Sequence, residues 1–256
     1  GAIKMKICRF LGLATLLISL LILILSGCSP TNKEFVTPER LEHGLVLILP
    51  GIEGEGTLSY NIRKGLLKAG VSAALPIYRW GRPVPLAGPI LNQMDVIGNR
   101  LVAKRIAQYI VDYQDSHPFA PVYIIGHSGG GGIAVFTAEE LPDGRMIDGL
   151  ILLSASISKG YDLSKALQHC RKGIVNFYSK KDVGLLGVGT TVVGNVDGVR
   201  GPSAGLTGFD NSYPKLYQIP WSKDMESVGN YGGHADSTNP EFVKEYVAPW
   251  VMGIGW

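Results

Sequence analysis

Ser128, His234 and Asp182 are the side chains that together could turn a hydroxyl into a nucleophile. A serine hydroxyl attacks poorly near neutral pH. It needs a base within hydrogen-bond reach, and the base needs a carboxylate to orient it and to stabilise the charge it acquires. Ser128 is the centre of Gly126-His127-Ser128-Gly129-Gly130, a G-x-S-x-G sequence. Between a strand and a helix this sequence makes a sharp turn with the serine at its apex in a strained backbone conformation. The glycines are there because side chains on either side would collide across the turn. With 34 glycines the pattern arises cheaply, and Gly201-Pro202-Ser203-Ala204-Gly205 matches it too. Context separates the two. The apolar run Val122, Tyr123, Ile124, Ile125 precedes Ser128 and an apolar helical pattern follows it, whereas turn-like Asp197-Gly198-Val199-Arg200 precedes Ser203 and no amphipathic helix is expected after it.

The elements that must hold these groups are legible as alternating apolar runs and amphipathic stretches. Leu45 to Leu49, Val71 to Tyr78, Val122 to Ile125, Ile147 to Leu153, Gly173 to Tyr178 and Lys215 to Trp221 read as strands, several of them continuous in the manner of strands buried on both faces. A helix closes at Leu66 to Gly70. Asn99 to Gln114 is the clearest helix, with Val102, Ile106, Tyr109, Ile110 and Tyr113 on one face, and Glu241 to Val251 is a closing amphipathic helix. Arg79 to Met94 reads as an irregular loop. Val183 to Tyr213 is Gly-rich without helical period, and reads either as a cover over the site or as a wrapped surface loop. The alternation predicts an α/β fold: a right-handed, doubly wound, mostly parallel sheet of about six strands.

Two histidines lie beyond Ser128. His169 follows a helix-like segment and precedes a strand, away from the strand C-termini. His234 lies in Asn230-Tyr231-Gly232-Gly233-His234-Ala235-Asp236, between the last strand and the last helix, at the sheet edge where ligands bind in such folds. His234 is therefore the expected base. His127 reads as a packing or supporting residue, and His43 and His117 as loop residues.

The elbow in this context, with a downstream aspartate and histidine, resembles the α/β-hydrolase family in a minimal form, over about Leu45 to Trp256. The resemblance implies the chain order Ser, acid, His, with the acid at the end of the first or second strand after the nucleophile. The first ends in Ser154-Ala155-Ser156 and offers none; the second ends in Tyr178-Ser179-Lys180-Lys181-Asp182. Asp182 is the expected acid, with Asp210 and Asp236 as alternatives and Asp236 reading better as a cap. Two backbone N–H groups should hold the oxyanion: Gly129, at a helix N-terminus, and Ile52, in the loop Pro50-Gly51-Ile52-Glu53-Gly54, where the family often has His-Gly and this chain has Pro-Gly. Glu53 and Glu55 could face the substrate, but read better as solvated loop carboxylates. Tyr78, Arg79 and Trp80 follow a strand near the same rim and are candidates to line a substrate pocket. The implied activity is hydrolysis of a small-molecule or lipid carboxylic ester, without metal or organic cofactor. Thioester or amide cleavage and acyl transfer use the same groups, and a non-catalytic binding lipoprotein is the rival outside enzymes.

The N-terminus reads as a targeting segment. Lys4, Lys6 and Arg9 form a basic region, Phe10 to Leu25 is apolar, and Leu25-Ser26-Gly27-Cys28 resembles the lipobox of bacterial lipoproteins, with Cys28 the acylated residue. The expected organisation is a signal peptide over 1–27, a lipidated N-terminus and tether over 28–44, and a hydrolase domain over 45–256, exported and anchored to a cell or outer membrane. Without those three basic residues, 21 Lys and Arg face 21 Asp and Glu, so nothing points to a nucleic-acid partner. Cys170 is then the lone remaining thiol, expected to be buried as a small hydrophobe.

Overall fold

A computed structural model describes residues 30–81, 95–183 and 194–256. Cys28 and the targeting segment lie outside the described residues. The chain forms two units, 1–34 and 35–256. The first is described only from Pro30, where a 3₁₀ helix Pro30–Phe35 begins. The second carries the sheet and its helices.

The second unit begins earlier than the expected tether ends. Phe35 accepts a backbone hydrogen bond from Leu75, and Arg40, in helix α1 (Pro38–Glu42), donates to the carbonyls of Val71 and Ala73. The sheet then runs β1 (Leu45–Leu49), β2 (Val122–His127), β3 (Ile147–Leu153), β4 (Cys170–Tyr178) and β5 (Leu216–Pro220), parallel throughout and adjacent in that order. The sixth expected strand, Val71 to Tyr78, lies beside β1 on its outer side but makes only two isolated bridges, Leu45 to Ala74 and Ile48 to Ile77. Pro76 explains the break: its carbonyl accepts from Ile48, yet it has no N–H to continue a ladder. The chain thus goes first to that edge and then crosses back to β2, so the sheet winds both ways from β1.

Alternate residues of each strand supply two separate cores. Leu45, Leu47 and Leu49 face helices α3 (Val96–Ser116) and α4 (Gly129–Glu139), with Ile106, Ile110, Ile133 and Phe136. Val46 and Ile48 face α2 (Thr57–Lys68) and the C-terminal helical segment, with Ile62, Phe242 and Val247. Helix α3 starts where the Asp95 carboxylate accepts from the Gly98 N–H at 2.9 Å. The short α5 (Ser164–Gln168) and α6 (Ala204–Thr207) complete the first face. The closing segment is not one α-helix. Between α7 (Pro240–Phe242) and α8 (Ala248–Val251) it takes a π turn, Val243–Val247, because Pro249 has no N–H to return to the carbonyl four residues back.

The described part of the Gly-rich stretch, 194–213, lies partly in the core, while 198–200 and 210–212 are exposed. Val196, Ala204 and Phe209 are buried in the first core, and Val196 lies against α4. Ser203 bridges to Ser158, its extended backbone (φ −87°, ψ 161°) precedes a single helical turn, and its side chain is fully buried. The second G-x-S-x-G is thus followed by a helix after all, of one turn only. No strand precedes it, and its serine is sealed in the core.

Candidate active site

Ser128 follows directly on β2 and starts α4, with φ 53° and ψ −124°, a conformation that costs a non-glycine residue of order 1–3 kcal/mol. The surrounding structure holds it there. Its N–H donates to Leu153 at 3.0 Å, and its carbonyl accepts from Gly131 at 3.0 Å and from Ser156 at 2.9 Å. The motif glycines are required by close approach. A Cβ on Gly126 would lie 2.5 Å from the Gly130 carbonyl oxygen, and one on Gly130 would lie 2.3 Å from the carbonyl oxygens of both Leu49 and Pro50. The elbow is therefore pressed onto the end of β1.

That contact brings the loop after β1 alongside the elbow. A Cβ on Gly129 would stand 2.8 Å from Ile52 Cγ2 and 3.3 Å from the Trp80 ring. Among the described residues, neither the Ile52 nor the Gly129 N–H has a hydrogen-bond partner. Trp80, a candidate pocket residue, is buried, and its indole N–H donates to the Pro50 carbonyl at 2.6 Å; it braces the β1 loop. Arg79 pairs with Glu55 at 2.5 Å. The Glu55 carboxylate is only 1% exposed, so it is a buried partner and not the solvated loop carboxylate expected. Tyr78 is half-buried beside Tyr109, and burial, opposed by Arg105, pushes its phenol up.

Asp182 and His234 come together from two loops at the C-terminal edge of the sheet. His234 Nδ1 lies 2.7 Å from Asp182 Oδ2, and Asp182 is 3% exposed. The carboxylate accepts, so Nδ1 donates, and Nε2 is left with its lone pair free to take a proton. The Asp182 loop is tied to the His234 loop a second time: Lys181 Nζ donates to the Tyr231 carbonyl at 3.4 Å and sits 3.5 Å above the Trp221 ring. Asp236 caps this loop by accepting from the Gly233 N–H at 2.8 Å, and Asp210 is a surface partner of Lys159. His169 bonds the Arg145 carbonyl at the opposite end of β4, and His117 stacks on Tyr113 at the end of α3.

His127 joins the three loops, and this is the part that sequence reasoning only touched. Its ring is 1% exposed and 4.9 Å from the ring of His234, whose backbone carbonyl lies 3.1 Å from His127 Nε2. On its other side, Nδ1 faces Glu53 Oε1 at 3.7 Å. Burial alone would raise the Glu53 carboxyl, but the His127 imidazole beside it, with smaller contributions from a backbone N–H bond and from His234, outweighs burial and holds it below the ordinary carboxylate range. Glu53 also accepts from the Gly51 N–H, folding the β1 loop over itself. The only local signal for His127 is its place directly before Ser128; nothing around Glu53 in sequence announces its partner. Among the described residues no cluster of three or more His, Cys, Asp or Glu side chains is placed to hold a metal ion.

No protein-family model and no curated protein matches the chain. Solved structures resemble it in fold. Aspergillus fumigatus lipase B superposes with a TM-score of 0.50 at 13% identity, over 82% of this chain and 52% of that one. TT1662 from Thermus thermophilus gives 0.49 at 14%, over 83% and 90%, and a predicted CIB-like hydrolase from Thermoplasma acidophilum 0.47 at 17%, over 85% and 89%. At such identities the likeness is one of fold, and it rests on lipase B. With its parallel five-stranded sheet flanked by helices, the chain has an α/β-hydrolase type of fold.

Proposed function

We propose that the protein is a serine hydrolase acting on carboxylic esters. In this reading His234 Nε2 takes the proton from Ser128 as the hydroxyl oxygen attacks the ester carbonyl. Asp182 stabilises the imidazolium so formed, and the N–H groups of Gly129 and Ile52 receive the oxyanion. His234 returns the proton to the leaving alkoxide, giving an alcohol and an acyl-enzyme. Water, deprotonated by His234, then releases the acid and restores Ser128. The single observation that carries the proposal is the 2.7 Å contact between His234 Nδ1 and buried Asp182, made between loops far apart in sequence at the sheet edge that also carries the strained Ser128. The apolar leader ending in Cys28 supports a lipid anchor at a bacterial membrane as the setting.

A fluorophosphonate probe tests the chemistry. Labelling of the wild type and none of Ser128→Ala is expected; an unlabelled wild type, or a Ser128→Ala variant labelled equally, refutes it. Esters of p-nitrophenol with increasing acyl length then show which acyl group the site accepts. For the anchor, metabolic labelling with a palmitate analogue should be lost in Cys28→Ala, and an unmodified wild-type chain would sink that part.

A further inference from the structure

We propose that His127 is a positioning residue that sets the backbone of the base, through a hydrogen bond from its Nε2 to the His234 carbonyl. The inference rests on the hydrolase reading above and goes beyond the triad. A carbonyl oxygen only accepts, so the 3.1 Å contact requires the proton to be on Nε2 of His127. The ring cannot turn away to water, since it is 1% exposed and lies against the His234 ring. Its Nδ1 is equally enclosed and has no hydrogen-bond partner among the described residues; it faces the Glu53 carboxylate at 3.7 Å. That distance is longer than a hydrogen bond, so at this nitrogen Glu53 is a packing neighbour of the ring.

The arrangement has a geometric consequence. Glu53 follows Ile52 on the loop proposed to hold the oxyanion, His127 is bonded to Ser128 in the chain, and the carbonyl belongs to the base itself. One buried imidazole therefore registers the three loops that must meet at the reacting carbonyl. Asp182 holds the His234 ring at one nitrogen, and the His234 carbonyl also accepts from Ser237 Oγ at 3.4 Å; the shorter contact to that carbonyl is the one from His127, at 3.1 Å. A displacement of about 1 Å at a reacting group costs up to roughly a hundredfold in rate, so the bond acts on turnover and leaves substrate affinity nearly untouched.

The test uses two polar substitutions of different reach in the full chain. In His127→Gln the side-chain amide nitrogen reaches the place of Nε2 and can still donate to the His234 carbonyl. In His127→Asn the amide stops at the level of Nδ1 and cannot. The readouts are the rate of fluorophosphonate labelling at Ser128 and the separate kcat and KM for a p-nitrophenyl ester. His127→Gln should stay within about threefold of wild type, and His127→Asn should lose at least about tenfold in kcat and labelling rate with KM within about twofold. Equal rates for the two variants, or a faster His127→Asn, overturn the positioning role while leaving the hydrolase reading intact. An unlabelled wild type overturns the hydrolase reading and the positioning role with it. Nitrogen NMR of histidine-labelled wild type gives a reading that needs no variant: His127 protonated on Nε2 supports the bond, and protonation on Nδ1 alone refutes it.

Discussion

Replacing Asp182 by asparagine isolates the interaction on which the proposed chemistry depends. Asp182 Oδ2 and His234 Nδ1 are 2.7 Å apart in a nearly closed site. With charge centres about 4 Å apart and an effective dielectric of about 20, carboxylate and imidazolium attract by about 4 kcal/mol, which is about a thousandfold in rate if realised only when His234 becomes charged. Asparagine is nearly isosteric, so the fold should survive while that attraction is lost. A second loss is added when the asparagine amide presents its NH₂ to Nδ1. The histidine then accepts there, carries its own proton on Nε2, and has no lone pair for the Ser128 proton. The combined expectation is a fall in kcat of about 10³ to 10⁴ with little change in KM. Initial rates on p-nitrophenyl acetate across a range of substrate concentrations measure both constants, and a melting curve checks the fold. Asp210→Asn, which removes only a surface partner of Lys159, is the control and should stay within about twofold of wild type. A properly folded Asp182→Asn that keeps kcat within about tenfold would refute the assignment of Asp182.

Three further outcomes are expected from the same geometry. Ser128→Gly abolishes the proposed nucleophile but relieves a non-glycine residue at φ 53°, so the variant should be inactive yet more stable by about 1 kcal/mol in urea unfolding; lower stability would speak against strain at the elbow. Gly130→Ala forces a methyl group to within 2.3 Å of two carbonyl oxygens at the end of β1 and should destabilise by about 3 kcal/mol or leave the protein insoluble, whereas an unfolding midpoint equal to wild type would show that the β1 loop gives way freely. Burial, opposed by Lys215, pushes the Cys170 thiol up from 9.0 to about 12. The folded chain therefore holds that proton more tightly than the unfolded one, and the resulting stability is whole below about pH 9 and lost as pH rises towards about 12. Melting temperatures taken through that window should fall less steeply in Cys170→Ala, and parallel curves would contradict the shift.

Much of this molecule was readable before any coordinates, because its signals are local. Continuous apolar runs such as Leu45–Leu49 and 150–153 suit strands buried on both faces of a parallel sheet between helices, and that burial is what the two cores realise. Ser128 stood out from Ser203 because the strand before it is written in adjacent residues; in the structure one is strained at a turn and the other is sealed in the core. Where the expectations failed, the missing term was a single residue or a distant one. Pro76 cost the sheet a sixth continuous strand, and Pro249 turned the final helix into a π turn, each through one absent N–H.

The pairings across the site belong to the tertiary structure. Asp182 and His234 could be nominated from their loops, but their 2.7 Å contact depends on how β4 and the closing segment are placed, and no local pattern encodes that distance. The same holds more strongly for Glu55, whose carboxylate is buried against Arg79, for Trp80, whose indole is committed to Pro50, and for the line from Glu53 through His127 to the His234 backbone. A carboxylate in a Gly-rich loop looks solvated in sequence whether or not another loop closes over it. Local patterning sets the strands, the elbow and the candidate residues because it is carried by neighbours. Which charged and hydrogen-bonding groups lose their water, and to which partner, is decided only when the loops at the end of the sheet meet.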